Sequence, residues 1–209
     1  MYATNDQSSI SPFNNAKPGD FRYVDLNGDG KVDVSKDRKI LGSQIPKYNF
    51  SFNLGCEYKG IDFSAMLQGV AGVSGLLNGY AGFAFRNLGT LQEWMWKGRF
   101  DPANPTRYQE YPRLQILGNS DGVNGQLSDF WVLDASYLRI KNLQLGYTLS
   151  PNILKTIHVD GLRVYASVEN PVTFDHYRKG WDPEINSIGE GGEFYPILAT
   201  YTFGINLKF

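Results

Sequence analysis

The sequence has little cysteine, no long apolar run and no excess of charge. Its single cysteine, Cys56, excludes an intramolecular disulfide framework and any multi-cysteine metal site. No stretch approaches the roughly 20 apolar residues that a membrane-spanning helix requires. The formal net charge of −1 gives no indication of a nucleic-acid-binding surface, so no nucleic-acid partner is expected. What the chain has instead is 14% aromatic residues and 23 glycines, a composition that suits strands and tight turns.

The first residues also lack a recognisable export signal. MYATNDQSSISPF has neither a basic segment nor an apolar segment of the kind found in signal peptides. This feature alone predicts a cytosolic protein. The strand pattern described below predicts the opposite, and we therefore expect the chain to be a fragment whose export signal lies upstream.

No group of residues indicates an active site, and the chain is not expected to be an enzyme. His158 and His176 are far apart in the sequence and have no serine or cysteine motif near them. Asp182 and Glu184 could imitate a glycosidase pair. Their two-residue spacing across a proline is more typical of capping and turn chemistry.

The clearest periodicity lies at the end of the chain, in residues 199–209. Apolar and polar residues alternate there, which predicts a strand with one apolar face and one polar face. The apolar positions are Ala199, Tyr201, Phe203, Ile205, Leu207 and Phe209. A strand of about ten such residues is typical of a transmembrane barrel, whereas a soluble sandwich with one solvated face is the alternative.

A long antiparallel hairpin is predicted near the middle of the chain. Residues 48–58 alternate without interruption, Lys59 and Gly60 form a tight turn, and the alternation continues from Ile61 to Leu67. Each arm is about twice the average length of a globular strand, about 5–6 residues. The arms therefore favour a membrane wall over a sandwich.

Two more strands and two long connections complete the pattern. Strands are predicted at residues 136–149 and 162–168, the first with a bulge at residues 139–142 because the parity of its apolar positions changes there. The intervening region 69–130 does not alternate and contains one predicted short helix, Leu91–Lys97. Residues 170–196 are predicted to form another long loop.

Short and long connections alternate along the chain, as they do in outer-membrane barrels. This predicts the Lys59-Gly60 turn, residues 150–160 and the carboxyl terminus on the periplasmic side, and the long loops outside. The predicted fold is all-β, namely an antiparallel segment of a transmembrane β-barrel, because five strands cannot close the smallest barrel of eight. Residues 1–46 are predicted to be an extracellular loop, and residues 47–209 to be barrel strands with their loops.

The N-terminal region contains a pattern similar to a calcium-binding loop. Alternate residues of such a loop direct oxygen atoms at one cation, and a glycine allows the sharp turn. The matching positions are Asp25, Asn27, Asp29, Gly30, Lys31 through its carbonyl, and Asp33. The twelfth position is Lys36 instead of an acid, and Asp37 follows one residue late. Calcium is thus a possible cofactor; a metal-free loop of tight turns and a helical calcium sensor are the alternatives.

The tryptophans are candidates for stacking against sugar rings. Trp94, Trp96, Trp131 and Trp181 lie in or beside the long connections. For each of them, a place in an aromatic girdle or in the core of a loop is the commoner role.

Five segments, in order, resemble the C-terminal part of SusC/RagA-like TonB-linked outer-membrane proteins. The segments are KPGDFRYVDLNGDGKVD with DRKILG, YNFSFNLGCEYKGIDFSAMLQGVAG, SYLRIKNLQLGYTL, LRVYASVENPVTF with GWDPE, and YTFGINLKF. Together they cover nearly the whole chain from Lys17. Full-length members of that family are about five times longer and carry a plug inside a 22-strand barrel.

The resemblance implies a role in a TonB-dependent importer of oligosaccharides or peptides. It implies a SusD-like surface lipoprotein as the lid, TonB acting through the part that is not present here, outer-membrane lipid, and the barrel-assembly machinery as partners. The barrel-assembly machinery would recognise an insertion signal in the terminal strand, formed by Tyr201, Phe203, Ile205, Leu207 and Phe209. An isolated segment of this length is expected to be inactive in transport.

Two other functions remain open. The first is a soluble or surface calcium-stabilised β-sandwich that binds glycans. The second is a structural interaction protein made by a decayed gene, which predicts no stable fold in water. A sandwich buries its apolar face against a second sheet, whereas a barrel wall leaves that face exposed. The discriminating residues are Tyr48, Phe50, Phe52, Leu54, Ile61, Phe63 and Leu143.

Overall fold

A computed structural model describes residue 13 and residues 16–105, 109–116, 122–157, 159–177, 181–185, 195 and 197–209. The contacts divide the chain into two units. The first, here called the loop unit, comprises Met1–Gly42, Leu76–Leu133 and Ser187–Glu193. The second, here called the sheet unit, comprises Ser43–Gly75, Asp134–Asn186 and Phe194–Phe209. The predicted division at residues 46 and 47 refers to the membrane and not to contacts, and it stays a prediction.

The sheet unit contains five long antiparallel strands. They are β1 (Tyr48–Tyr58), β2 (Ile61–Ala71), β5 (Tyr137–Thr148), β6 (Gly161–Asp175) and β7 (Thr200–Lys208), arranged in the order β1-β2-β5-β6-β7. Each strand pairs with its nearest long neighbour in the chain. The five predicted strands and the antiparallel pairing are therefore confirmed.

Local sequence explains the first hairpin. Tyr58 pairs with Ile61, so Lys59 and Gly60 form a two-residue turn, and both have positive φ angles of 50° and 84°. Two positive φ angles in sequence are typical of the type I′ turn, whose twist matches that of the flanking strands. The predicted bulge is also confirmed, because the pairing register of β5 shifts between Ile140 and Asn142.

The structure corrects two predictions and adds a helix to a predicted connection. Strand β6 continues to Asp175, whereas a loop was predicted from residue 170; Pro171 is tolerated there because it falls at an irregularity of the β5–β6 pairing. Residues 150–160 include a helix, α3 (Pro151–Ile157), whose first residue is the proline that favours a helix start. Region 69–130 contains β3 (Ser74–Leu76), which pairs with β4 (Val132–Asp134) in a separate small sheet.

The loop unit contains little regular structure. It has α1 (Gly79–Gly82), a 3-10 turn at Arg86–Leu88 and α2 (Glu93–Gly98), the last of which confirms the predicted short helix within two residues. Its core is a cluster of buried side chains: Phe21, Phe83, Ala84, Met95, Tyr111 and Trp131. Trp131 makes edge-on ring contacts with Phe83 and Phe130 at centroid distances of 5.2 and 4.6 Å.

Candidate functional site: an apolar sheet face and its polar reverse

The register of the five long strands places the apolar positions on one face of the sheet. Residues that are directly opposite in an antiparallel pair point to the same side. One such row crosses four strands through Phe52, Leu67, Ile140 and Val172. A second row contains Cys56, Phe63, Leu145, Ala166 and Phe203. The five strands therefore form one continuous apolar face.

This apolar face is exposed. Phe52 is 56% exposed and Phe203 is 82% exposed, values that large apolar residues rarely reach in a row on a soluble protein. Of the seven discriminating residues, Tyr48, Phe50, Phe52, Leu54, Ile61 and Phe63 are exposed and only Leu143 is half-buried. The sandwich alternative required these residues to be buried, so the exposure favours the membrane wall.

The opposite face carries amide, hydroxyl and charged side chains. Arg163 donates to both carboxylate oxygens of Asp62, at 2.9 and 2.5 Å, across the strand that lies between them. A Cβ atom at Gly146 on that middle strand would lie 2.5 Å from both partners. Glycine at this position therefore allows the ion pair to lie flat against the sheet.

A second charged group on the polar face was missed by the sequence analysis. The guanidinium of Arg139, a residue that is 1% exposed, donates to Asp182 and to Glu184, each at 2.6 Å, and to Thr173 Oγ1 at 2.8 Å. Lys141 Nζ lies 2.9 Å from Glu184 Oε2. These five residues are here called the Arg139 cluster. An arginine at an apparently ordinary strand position was the only sequence signal.

The Arg139 cluster accounts for Asp182 and Glu184, the residues that could have imitated a glycosidase pair. Both carboxylates are engaged with Arg139, and Asp182 Oδ1 also accepts the backbone N–H of Glu184 at 2.9 Å. The second contact is the turn chemistry that the spacing across Pro183 suggested.

The segment that is similar to a calcium-binding loop, residues 25–37, is here called the Asp25 loop, and it is organised by its own backbone. Asp25 accepts the N–H groups of Gly28 and Gly30 at 2.7 and 2.8 Å, and Asp37 accepts those of Leu26 and Asp33 at 2.8 and 2.7 Å. The pKa of Asp37 is lowered by its hydrogen bond from Asp33 N–H, and that of Asp33 by its hydrogen bond from Ser35. Both carboxylates are therefore ionised at neutral pH.

The remaining predicted ligands lie in the same loop, where Asp29 accepts the N–H of Lys31 and the side-chain amide of Asn27. No three His, Cys, Asp or Glu side chains of the described residues are arranged to hold a metal ion. A cavity of about 440 Å³ lies beside the loop, lined by apolar residues such as Val24, Leu41 and Leu127.

The tryptophans occupy different environments. Trp131 and Trp94 belong to the loop core: Trp131 Nε1 donates to the Asn124 carbonyl at 3.0 Å, and the ring of Trp94 lies edge-on to Tyr111. Trp96 is 52% exposed, with the Arg99 guanidinium 3.6 Å from its ring centroid. Trp181 is half-buried and directly precedes Asp182 of the Arg139 cluster in the sequence.

A buried polar network ties the start of the loop unit to residues about a hundred positions later. Asp20 accepts hydrogen bonds from Lys17 N–H, Arg113 and Asn124. Asn124 in turn accepts the N–H of Phe21 at 2.8 Å. Asp20 is 2% exposed, and its negative charge is balanced by Arg113 at 3.0 Å.

The residues predicted as an insertion signal share the apolar face of β7. Tyr201, Phe203, Ile205, Leu207 and Phe209 are all exposed. Cys56 is exposed on the same face of the sheet. His176 lies just beyond β6, and His158 lies outside the described residues. None of the helices in the described ranges is long and apolar enough to cross a membrane.

Comparison with known proteins identifies relatives over nearly the whole chain. TonB-dependent receptor P3 of Formosa agariphila is 30% identical, and the match covers 92% of this chain and 19% of that receptor. TonB-dependent receptor SusC of Bacteroides thetaiotaomicron is 33% identical over 93% of this chain and 18% of its own length. No family model matches the chain.

Solved structures of related proteins also match the fold of this chain. The RagAB peptide importer in its open-open state matches 90% of this chain with a TM-score of 0.67 and 27% identity, over 20% of the matched chain. The chain thus spans about one fifth of the length of the relatives it matches. These relatives are named as receptors and importers, not as enzymes. The resemblance in the sequence is confirmed, and over that length the chain belongs to the SusC/RagA-like TonB-dependent receptors of the outer membrane.

Proposed function

We propose that this chain forms part of the wall and the external loops of a TonB-dependent importer of oligosaccharides or peptides. The observation that carries the proposal is the continuous exposed apolar face opposite a polar, charge-paired face. Lipid on one side and a water-filled or plug-filled interior on the other require this two-sided arrangement. The function is transport without catalysis.

The sidedness of the wall supplies a direct test in the native host. With Cys56 replaced by Ala, one cysteine is introduced either at Lys59, in the β1–β2 turn, or at Lys97, at the end of α2. Intact cells are then treated with a membrane-impermeant maleimide. We expect Lys97→Cys to react and Lys59→Cys to react only after the outer membrane is opened. Equal reaction of both variants in intact cells would contradict the proposed wall.

Transport and partners are tested in the same strain. Deletion of the gene is expected to abolish growth on one class of oligosaccharide or peptide, and the restored gene is expected to rescue it. Purification of the tagged protein in mild detergent is expected to retain a SusD-like lipoprotein, and cross-linking is expected to capture TonB. Unchanged growth on every oligosaccharide and peptide supplied would count against the importer.

We also propose that the Asp25 loop binds calcium. The support is the spacing of its oxygen-bearing residues and the lowered pKa of both Asp33 and Asp37. Binding requires Asp25 and Asp37 to exchange backbone N–H groups for the cation. Calorimetric titration of the purified protein with Ca²⁺ is expected to release or absorb heat, and Asp25→Asn is expected to abolish this signal. A titration without heat in the unaltered protein argues against the site.

A further inference from the structure

The Arg139 cluster joins two segments that are distant in the sequence. Arg139 lies on β5, whereas Asp182 and Glu184 lie in residues 181–185, after the end of β6. Two carboxylates and two cations make the cluster neutral. Its guanidinium is fully buried and has an acceptor for Nε, Nη1 and Nη2 alike. A buried arginine persists in a protein when it is paired in this way.

The backbone of β5 is deformed so that a second cation reaches the same carboxylate. Lys141 is skipped in the pairing of β5 with both β2 and β6, because the register shifts there on both sides. The extra residue leaves Arg139 and Asn142 both on the polar face, and Lys141 Nζ donates to both oxygens of Glu184 at 3.1 and 2.9 Å. Bulges of this kind redirect side chains.

Strand β6 is deformed at the same level of the sheet. The pairing with β5 omits Asn170 and Pro171, and Asn170 has a φ of 48°, which is costly for a residue other than glycine. Beyond this irregularity, Thr173 pairs with Arg139 and accepts its Nε–H. Both strands therefore depart from regular geometry where they hold the cluster.

We propose that Arg139 is a positioning residue which holds residues 181–185 against the polar face of the wall. The inference rests on the proposed function, because only in a barrel wall does the polar face line the interior. Held there, this segment of the β6–β7 connection lies on the interior side of the wall, where it narrows the path of the solute. Lys141 reinforces the attachment through Glu184. The Asp62–Arg163 pair is the natural control, since it joins strands of the wall and holds no loop.

The test measures the accessibility of the held segment in intact cells of the native host. In the Cys56→Ala background, Ile185→Cys reports on the segment, because Ile185 is half-buried next to Glu184. We expect Arg139→Met to increase its reaction rate with an impermeant maleimide by about tenfold, which corresponds to about 1.4 kcal/mol. Arg163→Met is expected to leave the rate unchanged. An unchanged rate in Arg139→Met overturns the inference, as does an equal increase in Arg163→Met.

A second variant guards against a failure of Arg139→Met to assemble. Asp182→Ala combined with Glu184→Ala removes both acceptors of Arg139 from the loop side and leaves every strand of the wall unaltered. It is expected to give the same increase, and an unchanged rate overturns the inference. Recovery from the outer-membrane fraction separates the two proposals. Absence of the unaltered protein from that fraction contradicts the proposed function. Presence of the variants there, with an unchanged reaction rate, contradicts only the role of Arg139.

Discussion

The two units of this chain use aromatic residues in opposite ways. In the sheet unit, large side chains of the apolar face such as Phe52 and Phe203 are exposed, and the charged Arg139 is buried. In the loop unit Trp131 and Tyr111 are each 1% exposed, at the centre of an ordinary core. The sheet unit is suited to a lipid solvent and the loop unit to water. Substitution of an aromatic residue should therefore affect stability differently in the two units.

The largest expected effect is in the loop core. Trp131→Ala should lower the free energy of unfolding of the loop unit by about 3–5 kcal/mol, because it removes the largest buried side chain and leaves a cavity. Urea unfolding of the purified protein in detergent, followed by near-ultraviolet circular dichroism, measures the change. Trp96→Ala, at an exposed position, is the matched control and should cost less than about 1 kcal/mol. Equal losses in both variants would remove the contrast between core and surface.

The second prediction tests the lipid-facing role of the sheet. Phe52→Arg should destabilise the inserted protein by about 2–4 kcal/mol, the cost of a cation at the lipid face of a barrel. Asn53→Arg, one residue along the same strand, points to the polar face and should cost far less. The measurement is the yield of folded, heat-modifiable protein in the outer-membrane fraction. Similar yields for the two variants would contradict the assignment of the apolar face, and not the polar face, to lipid.

The contrast between the units also explains how far the sequence could predict the structure. The alternation of apolar and polar residues in the strands, the Lys59-Gly60 turn and the bulge in β5 are local features. All of them could be predicted from the sequence. The loop core joins Phe21 to Asn124 and Trp131, residues that have no periodic relation. The Arg139 cluster likewise depends on a contact over 43 residues to Asp182. Pairings of this kind leave no mark on the spacing of residue types, so the pattern could not reveal them.

The third prediction concerns the polar contacts of the loop core. The Tyr111 hydroxyl donates to the Gly82 carbonyl and accepts the N–H of Ala84, each at 3.0 Å. Tyr111→Phe should cost about 1–3 kcal/mol, because both buried backbone groups lose their partner. The same urea unfolding measures it. Tyr80→Phe, at an exposed hydroxyl in the same unit, provides the control and should lie within about 0.5 kcal/mol of the unaltered protein.

The smallest expected effect is a dependence of stability on pH that comes from a buried tyrosine of the loop core. Burial raises the pKa of Tyr111 from 10.0 to about 12. Since the unfolded chain loses this proton first, the contribution of Tyr111 to stability is complete below pH 10 and is lost as the pH rises towards 12. At pH 11 the loss should be about 1 kcal/mol.

The measurement is the midpoint of urea unfolding at pH 9 and pH 11, in the unaltered protein and in Tyr111→Phe. The difference between the two pH values should be smaller in Tyr111→Phe, which has no proton to lose at that position. The same pH dependence in both proteins would assign it to other groups, such as Tyr23 and Tyr177, whose pKa values are also raised by burial.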